Sequence, residues 1–344
     1  MATLKDISEV LGLSVATVSR ALNGFPEVSE KTRLLVEETA EKLNYRPNRA
    51  AQKLVTGRSG MVGMLVSMPP GVSAETSLVE IIMGLSARLA ERDIDLVMQV
   101  IVDADPMEAY RRAVSKNTLD GFILSAPTIN DPRMTFLKDH GIPFVVHGKA
   151  EEAADYAFYD IDNADAARQG VELLANLRHQ HFAYLNGAEK AAFADQRARG
   201  FFECLSDRDL PREASQMSYG ENTRASGYTR ALGLLTPTRS GERPTALLCA
   251  STPLAYGALR AARHLGLRIP EDLSIMCHDD VAPILFSDDA EPPLTVTHAP
   301  MSRACGPLAE CLVGVLGGAA PETQQITERA QLIVRQSTGP APTR

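Results

Sequence analysis

The sequence predicts an all-α head with the outline of a helix-turn-helix, followed by an α/β body of two doubly wound lobes. Three observations carry this reading. Two short segments with helical apolar spacing, Leu4 to Leu11 and Val15 to Leu22, are separated only by Gly12-Leu13-Ser14. From Met61 onward, short apolar runs alternate with amphipathic stretches, the pattern of parallel sheets with helices on both faces. The charge also divides along the chain. Residues 1–58 hold nine Lys and Arg against seven Asp and Glu, a balance of +2, so the chain's −8 leaves −10 for the remainder. A mildly basic head on an acidic body suggests two jobs in one chain.

In the head, Thr3 is placed to cap a first helix with Leu4, Ile7, Val10 and Leu11 on one face. Gly12 breaks it and Ser14 caps the second, which stops at Asn23-Gly24. At 100° per residue, Val18, Ala21 and Leu22 form an apolar stripe. Ala16, Ser19 and Arg20 lie opposite, with Val15 at the border. A helix that enters a DNA major groove needs this division, because one face must be anchored and the other small. Arg20 could pair bidentately with a guanine, and Val15 and Ala16 could touch thymine methyls. A solvated helix face with one Arg has the same pattern. A third helix, Glu30 to Leu43, follows Ser29, with Leu34, Leu35, Ala40 and Leu43 expected inward. Pro47 to Leu54 is about two helical turns, too short to persist without support from another surface. Arg46 to Arg58 carries four cations and no acid.

In the body, strands are expected at 61–67, 94–100, 121–125, 144–147, 182–185, 246–250 and 273–277. Helices are expected near 77–91, 106–116, 132–140, 164–177, 195–205, 223–235 and 253–265. The remaining length suffices for two such lobes with a cleft where strand ends meet.

The 344 residues allow two or three domains at roughly 100–200 residues each. The 44% hydrophobic and 23% charged fractions exclude a wholly disordered chain. No apolar run approaches the ~18–20 residues of a membrane span. The N-terminus lacks an apolar secretory core, so a cytoplasmic location and no membrane partner are expected. The five cysteines form no C-x-x-C and no tight Cys/His cluster, so reduced, buried thiols and no metal site are expected. The G-x-S-x-G, Walker A, G-x-G-x-x-G and H-E-x-x-H patterns are all missing, so no catalytic residue and no cofactor is assigned.

Leu4-Lys5-Asp6-Ile7, Leu13 to Asn23, Val28-Ser29-Glu30-Lys31-Thr32-Arg33 and Leu43 to Ala51 together resemble the headpiece and hinge of lac/galactose-repressor-type (LacI/GalR) transcription factors. In the body, Arg197-Ala198-Arg199-Gly200-Phe201, Leu254 to Arg260, Leu267 to Ser274, His278-Asp279-Asp280, Pro292 to Val296 and Val334 to Ser337 continue the likeness. The resemblance implies a headpiece at 1–46, a hinge helix and linker at 47–58, and an effector-binding and dimerisation body at 59–344. That body would resemble periplasmic sugar-binding proteins, with lobe 1 at about 59–160 and 293–323 and lobe 2 at about 161–292 and 324–339.

The resemblance also implies that Val15, Ala16 and Arg20 read bases, and that Ser14, Thr17, Asn23, Thr32, Tyr45 and Asn48 lie at the DNA backbone. Ala51 and Leu54 would sit at the minor groove, Leu54 as a wedge whose unstacking cost is offset by wider contact with bent DNA. The family's cleft Arg and Asp fall on Arg197 and Asp279, suited to gripping sugar hydroxyls that must each find a partner. Asn222 stands where relatives often stack an aromatic, and Ser251-Thr252-Pro253 replaces an Asn-Asp. His147-Gly148-Lys149 forms a cationic tip at the first lobe, either solvated or ready for an anionic group. Expected partners are double-stranded operator DNA, a mono- or disaccharide or sugar phosphate, and a second copy of the chain. The expected function is an effector-controlled repressor. An activator or corepressor-dependent regulator, or a sugar-binding module without DNA function, would share most of these features.

Overall fold

The computed structural model describes residues 2–45, 57–67, 76–101, 105–212, 215–236, 243–279 and 287–343, except the side chains of 67, 76–78 and 279. The expected DNA contacts Asn48, Ala51 and Leu54 lie outside the described residues, as does the side chain of Asp279. The chain divides into a head, Met1–Ser59, and a body, Gly60–Arg344.

The head is built on helices α1 (Leu4–Leu11), α2 (Val15–Leu22) and α3 (Glu30–Lys42). Each starts where a side chain satisfies free backbone donors. Thr3 and Asp6 form a reciprocal capping box, and Ser14 and Ser29 accept from Thr17 and Thr32. Gly12 ends α1 in the left-handed region at φ 64°, where a Cβ would be strained. Ile7, Val18, Ala21, Val36 and Ala40 make the core. One expectation fails here: Leu34 and Leu35 are 55% and 48% exposed, whereas Val36 is fully buried. The buried phase of α3 runs through Val36, Thr39 and Ala40, three and four residues apart, which turns the two leucines outward.

The body has two six-stranded sheets. Lobe 1 contains β1 (Met61–Ser67), α4 (Thr76–Ala90), β2 (Asp95–Ile101), α5 (Pro106–Ser115), β3 (Gly121–Ser125), α6 (Pro132–Asp139), β4 (Phe144–His147) and β5 (Ala157–Ile161). Lobe 2 contains α7 (Asn163–Asn176), β6 (Phe182–Leu185), α8 (Ala192–Asp207), β7 (Gln216–Ser218), α9 (Arg224–Leu235), β8 (Ala246–Cys249), α10 (Thr252–His264), β9 (Ser274–Asp279) and β10 (Thr295–His298). The chain returns through α11 (Ser302–Leu316) and β11 (Gln325–Glu328) to lobe 1, then ends in lobe 2 with β12 (Gln331–Ile333). The strand orders are β11-β5-β4-β3-β1-β2 and β12-β10-β9-β8-β6-β7. All pairs are parallel except β10 with β12. The order reverses at β1 and at β6, the switch points outside which α/β sheets open crevices.

The lobe boundaries differ from expectation. Thr295–His298, assigned to lobe 1, pairs with Met276–Asp279 in the second sheet, and Gln325–Glu328, assigned to lobe 2, pairs with β5 in the first. Three chain crossings therefore join the lobes, near residues 162, 300 and 330. The first and third are tied together, since Asp162 donates its N–H to the Glu328 carbonyl at 2.7 Å and Gln169 Nε2 donates to the Ala330 carbonyl at 3.1 Å.

Both lobes bury both sheet faces, so β1 places Val62 and Met64 against α4 and α11 while Leu65 faces Tyr110, Phe122 and Leu137. The lobe 2 core gathers Phe182, Leu185, Phe201, Leu247, Leu254 and Ile275. All five cysteines are buried and unpaired. His179 Nε2 donates to the Gly339 carbonyl at 3.1 Å, and the ring also hydrogen-bonds the hydroxyls of Thr245 (2.9 Å) and Ser274 (3.1 Å), stitching the C-terminal segment onto lobe 2.

At two helix crossings only glycine fits. A Cβ on Gly200 of α8 would collide with the backbone of Ala164 in α7, and one on Gly257 of α10 with the backbone of Arg224 and Tyr228 in α9. Because backbone rather than a flexible side chain is in the way, Gly200→Ala and Gly257→Ala should each cost about 1–3 kcal/mol, read as a lower urea midpoint with unchanged slope.

Candidate DNA-reading helix and interlobe cleft

Helix α2 presents the face that its spacing implies. Val18 and Ala21 are buried, while Ala16 and Arg20 are exposed and Val15 is 44% exposed. Among the described residues the Arg20 guanidinium makes no hydrogen bond or ion pair, and α2 itself carries no acid. Ser14 and Thr17 share a hydroxyl contact of 2.8 Å at the start of α2, and Ser29 and Thr32 do the same at the start of α3. Three of the six expected backbone contacts, Ser14, Thr17 and Thr32, thus sit at helix N-termini, whose free N–H groups and dipoles favour anions. Asn23 spends its amide on the Ser19 carbonyl at 2.8 Å, closing α2 on itself. Tyr45 packs against the head's core, and desolvation raises its phenol above the ordinary value.

In the body, loops at the strand ends bring the lobes together. Thr128 bridges Ala191, with Ile129 N–H donating to the Lys190 carbonyl at 3.1 Å and Ala192 N–H to the Pro127 carbonyl at 3.0 Å. Gln196 donates to the Lys149 carbonyl, and Arg199 pairs with Glu152. Arg197, one turn before Gly200, is only 6% exposed. Its Nε donates to Asn163 Oδ1 at 2.8 Å, its Nη1 donates to the Ala250 carbonyl at 2.7 Å, and its guanidinium lies 4.9 Å from the Phe193 ring centre. Behind Asn163 stands Asp160, 8% exposed, which accepts from the Lys149 and Ile161 N–H groups and from Asn163 Nδ2. Burial pushes its carboxyl up to about 6, although these donors and Arg197 draw it down.

The other expected cleft residues fall as follows. Ser251 is 2% exposed, and its Oγ is buried without a hydrogen-bond partner; Asn222 Oδ1 is also buried and unpaired. Buried polar atoms without partners are uncommon, and here two of them occur at residues expected to hold a ligand. His147 ends β4, its ring 6.2 Å from that of Tyr159, and desolvation takes its imidazole down to about 4. Lys149 Nζ lies 3.6 Å from Glu152, which also pairs with Arg199, so one carboxylate is shared between two cations at the tip. Arg197, His278, Tyr184, Cys249 and Thr297 line a small cavity inside lobe 2. His278 is buried, Nδ1 to Thr297 Oγ1 at 3.1 Å, and is held well below the usual imidazole range by burial, then by the charges of Arg197 and His298. Asp160 and Asn163 were not singled out in the sequence. The one local signal was a buried-strand ending, Tyr159-Asp160-Ile161, that carries an acid where an apolar residue would fit.

Comparison with known proteins agrees with this geometry. A model described as bacterial regulatory proteins, lacI family, matches residues 3–48, and one described as periplasmic binding protein-like domain matches 171–338. The HTH-type transcriptional regulator AglR of Rhizobium meliloti (strain 1021) is 37% identical over 342 residues, covering 99% of this chain and 95% of that one. The chain belongs to the LacI family of DNA-binding transcriptional regulators, a family without enzymatic activity. Among solved structures, the CelR–cellobiose complex matches with a TM-score of 0.72 at 27% identity, covering 98% of this chain and all of that one. The Lac repressor dimer bound to operator and the anti-inducer ONPF matches with a TM-score of 0.78 at 25% identity, covering 98% and 99%. No helix among the described residues is long and apolar enough to cross a membrane.

The buried titrating groups set a pH dependence. His147, His179 and His278 all have lowered values. As pH falls below about 6.5 the unfolded chain takes up protons that these folded imidazoles refuse, so stability drops. Asp160 acts in the opposite sense, because between about 6 and 3.8 the folded body holds a proton that the unfolded chain lacks. The body's melting temperature should fall between pH 7 and pH 5. His147→Asn should flatten that fall and Asp160→Asn should steepen it, as read by calorimetric scans across the interval.

Proposed function

We propose that this protein is a transcriptional repressor that binds a palindromic operator as a homodimer and is controlled by an uncharged mono- or disaccharide. The observation that carries the reading is the pairing of an exposed helix α2 face without acids with a buried arginine, Arg197, and two buried unpaired polar atoms at residues expected to hold a ligand, Ser251 Oγ and Asn222 Oδ1. Sugar hydroxyls both donate and accept, so they suit such a lining. His147 is neutral at pH 7 and adds no positive charge to the Lys149 tip, which favours a neutral sugar over a sugar phosphate. The relatives point the same way, one of them being solved with cellobiose. A DNA partner supports a cytoplasmic location.

The dimer reading rests on lobe 1. Val79 and Met83 on α4 are 44% and 69% exposed, and Val97, Met98 and Val100 on the neighbouring edge strand β2 are each more than a third exposed. Apolar side chains this concentrated beside an open strand edge mark an interaction face. Self-association suits it, because one small headpiece buries only about 600–1,000 Å² on DNA and a two-fold pair doubles the contact.

Operator sequences enriched from random duplex DNA by the full-length protein should be palindromic. Arg20→Ala should weaken binding by about 1–3 kcal/mol with the head still folded by circular dichroism. Met83→Glu should shift the protein to monomer in sedimentation and abolish tight operator binding. A thermal-shift screen of mono- and disaccharides and their phosphates should give stabilisation by a neutral sugar, by mass action. Non-palindromic sites, or stabilisation by phosphates alone, would overturn the corresponding part of the reading.

A further inference from the structure

The Arg197 side chain does not stand alone, and the groups behind it cross from one lobe to the other. Lys149, on the loop after β4, donates its N–H to Asp160 Oδ2 at 2.9 Å. Asp160, at the end of the lobe 1 sheet, also accepts from Ile161 N–H at 2.8 Å and from Asn163 Nδ2 at 3.1 Å. Asn163 opens α7 in lobe 2. Because its Nδ2 faces the carboxylate, its Oδ1 must face Arg197 and accepts from Nε at 2.8 Å. Arg197 Nη1 then holds the carbonyl of Ala250 at 2.7 Å, and the next residue is Ser251, whose Oγ is buried and unpaired. Every link has one permitted polarity. Three donors converge on Asp160, so it must be an acceptor at both oxygens, and that choice sets the amide orientation of Asn163.

We propose that Asp160 and Asn163 are positioning residues that couple the lobe 1 wall of the cleft, at Lys149, to the lobe 2 wall, at Arg197 and Ser251. The relay rests on the sugar-cleft reading only for its use; as a mechanical link it exists without a ligand. Asparagine at 160 would turn an NH2 group toward one of the three donors and leave the amide of Asn163 free to flip. Arg197 would then lose a fixed acceptor, and with it the orientation of the Ala250–Ser251 peptide. A purely local role for Asp160, stabilising the β5–α7 turn, predicts nothing at Ser251, which lies on a different strand end.

Hydrogen exchange on the full-length protein without sugar separates the two. In Asp160→Asn, peptides covering 147–152 and 248–255 should both exchange at least tenfold faster, while β6 and the C-terminal half of α10 keep their wild-type rates. Asn163→Ser, a milder change should Asp160→Asn fold poorly, should loosen 248–255 and leave 147–152 less affected. Asp165→Asn, on the same helix but paired with Arg329, should leave 248–255 unchanged. Acceleration confined to 157–166, or spread evenly over lobe 2, would overturn the relay. Calorimetric titration with cellobiose, maltose and sucrose adds the functional arm: a sugar that binds the wild type should bind Asp160→Asn at least tenfold more weakly. Binding of none of the three counts against the sugar reading for those probes, while the exchange result still decides the relay.

Discussion

Taking the guanidinium of Arg197 out of water leaves a desolvation cost of several kcal/mol that only nearby groups can offset. Its partners come from separate parts of the body: the end of β8 through the Ala250 carbonyl, the first lobe crossing through Asn163, the end of β5 through the charge on Asp160, and the ring of Phe193 within its own helix. The cleft lining follows from this. A strand end, a helix start and a sheet edge must each be in register for the charge to stay buried, so the charge proposed to meet a ligand also holds its surroundings in place.

Helix packing makes this geometry reachable. Gly200 lies one turn beyond Arg197 and meets the backbone of Ala164, the residue after Asn163. With any side chain at 200, α7 and α8 would separate, and the 2.8 Å bond between Arg197 and Asn163 could not form at that length. The two helices share one of the most extensive contacts in the body, and their closest point falls beside the site. The packing requirement at Gly200 and the hydrogen bonding of Arg197 thus meet in two adjacent turns.

Much of the head was legible because its instructions are local. Thr3, Ser14 and Ser29 precede their helices directly, Gly12 supplies the reversal, and the division of α2 into buried and exposed faces follows from helical spacing. Helix α3 was read partly out of phase: Ala40 is buried as expected, but contact with α1 and α2 chose the face of Val36 and Thr39 over the leucines at 34 and 35. In the body, β5 and α11 escaped notice: Ala157–Ile161 mixes tyrosine and aspartate, and α11 carries Pro307 within it. The misassigned strands β10 and β11 are short and join β9 and β5 in parallel, so nothing in their own residues tells which sheet will take them. Arg197, Ser251 and Asn222 are proposed as ligand residues by likeness to a family pattern. Asp160 and Asn163 were not, since a two-step hydrogen-bond relay between lobes has no signature along the chain.

The three crossings between lobes carry a mechanical consequence. A single linker would let one lobe swivel freely on the other. Three strands running between the same two bodies, two of them hydrogen-bonded to each other, resist twisting and shear much as a strap hinge does. Motion is steered into a narrow range of opening and closing, so a small ligand wedged at the far edge of the cleft acts at the end of a lever.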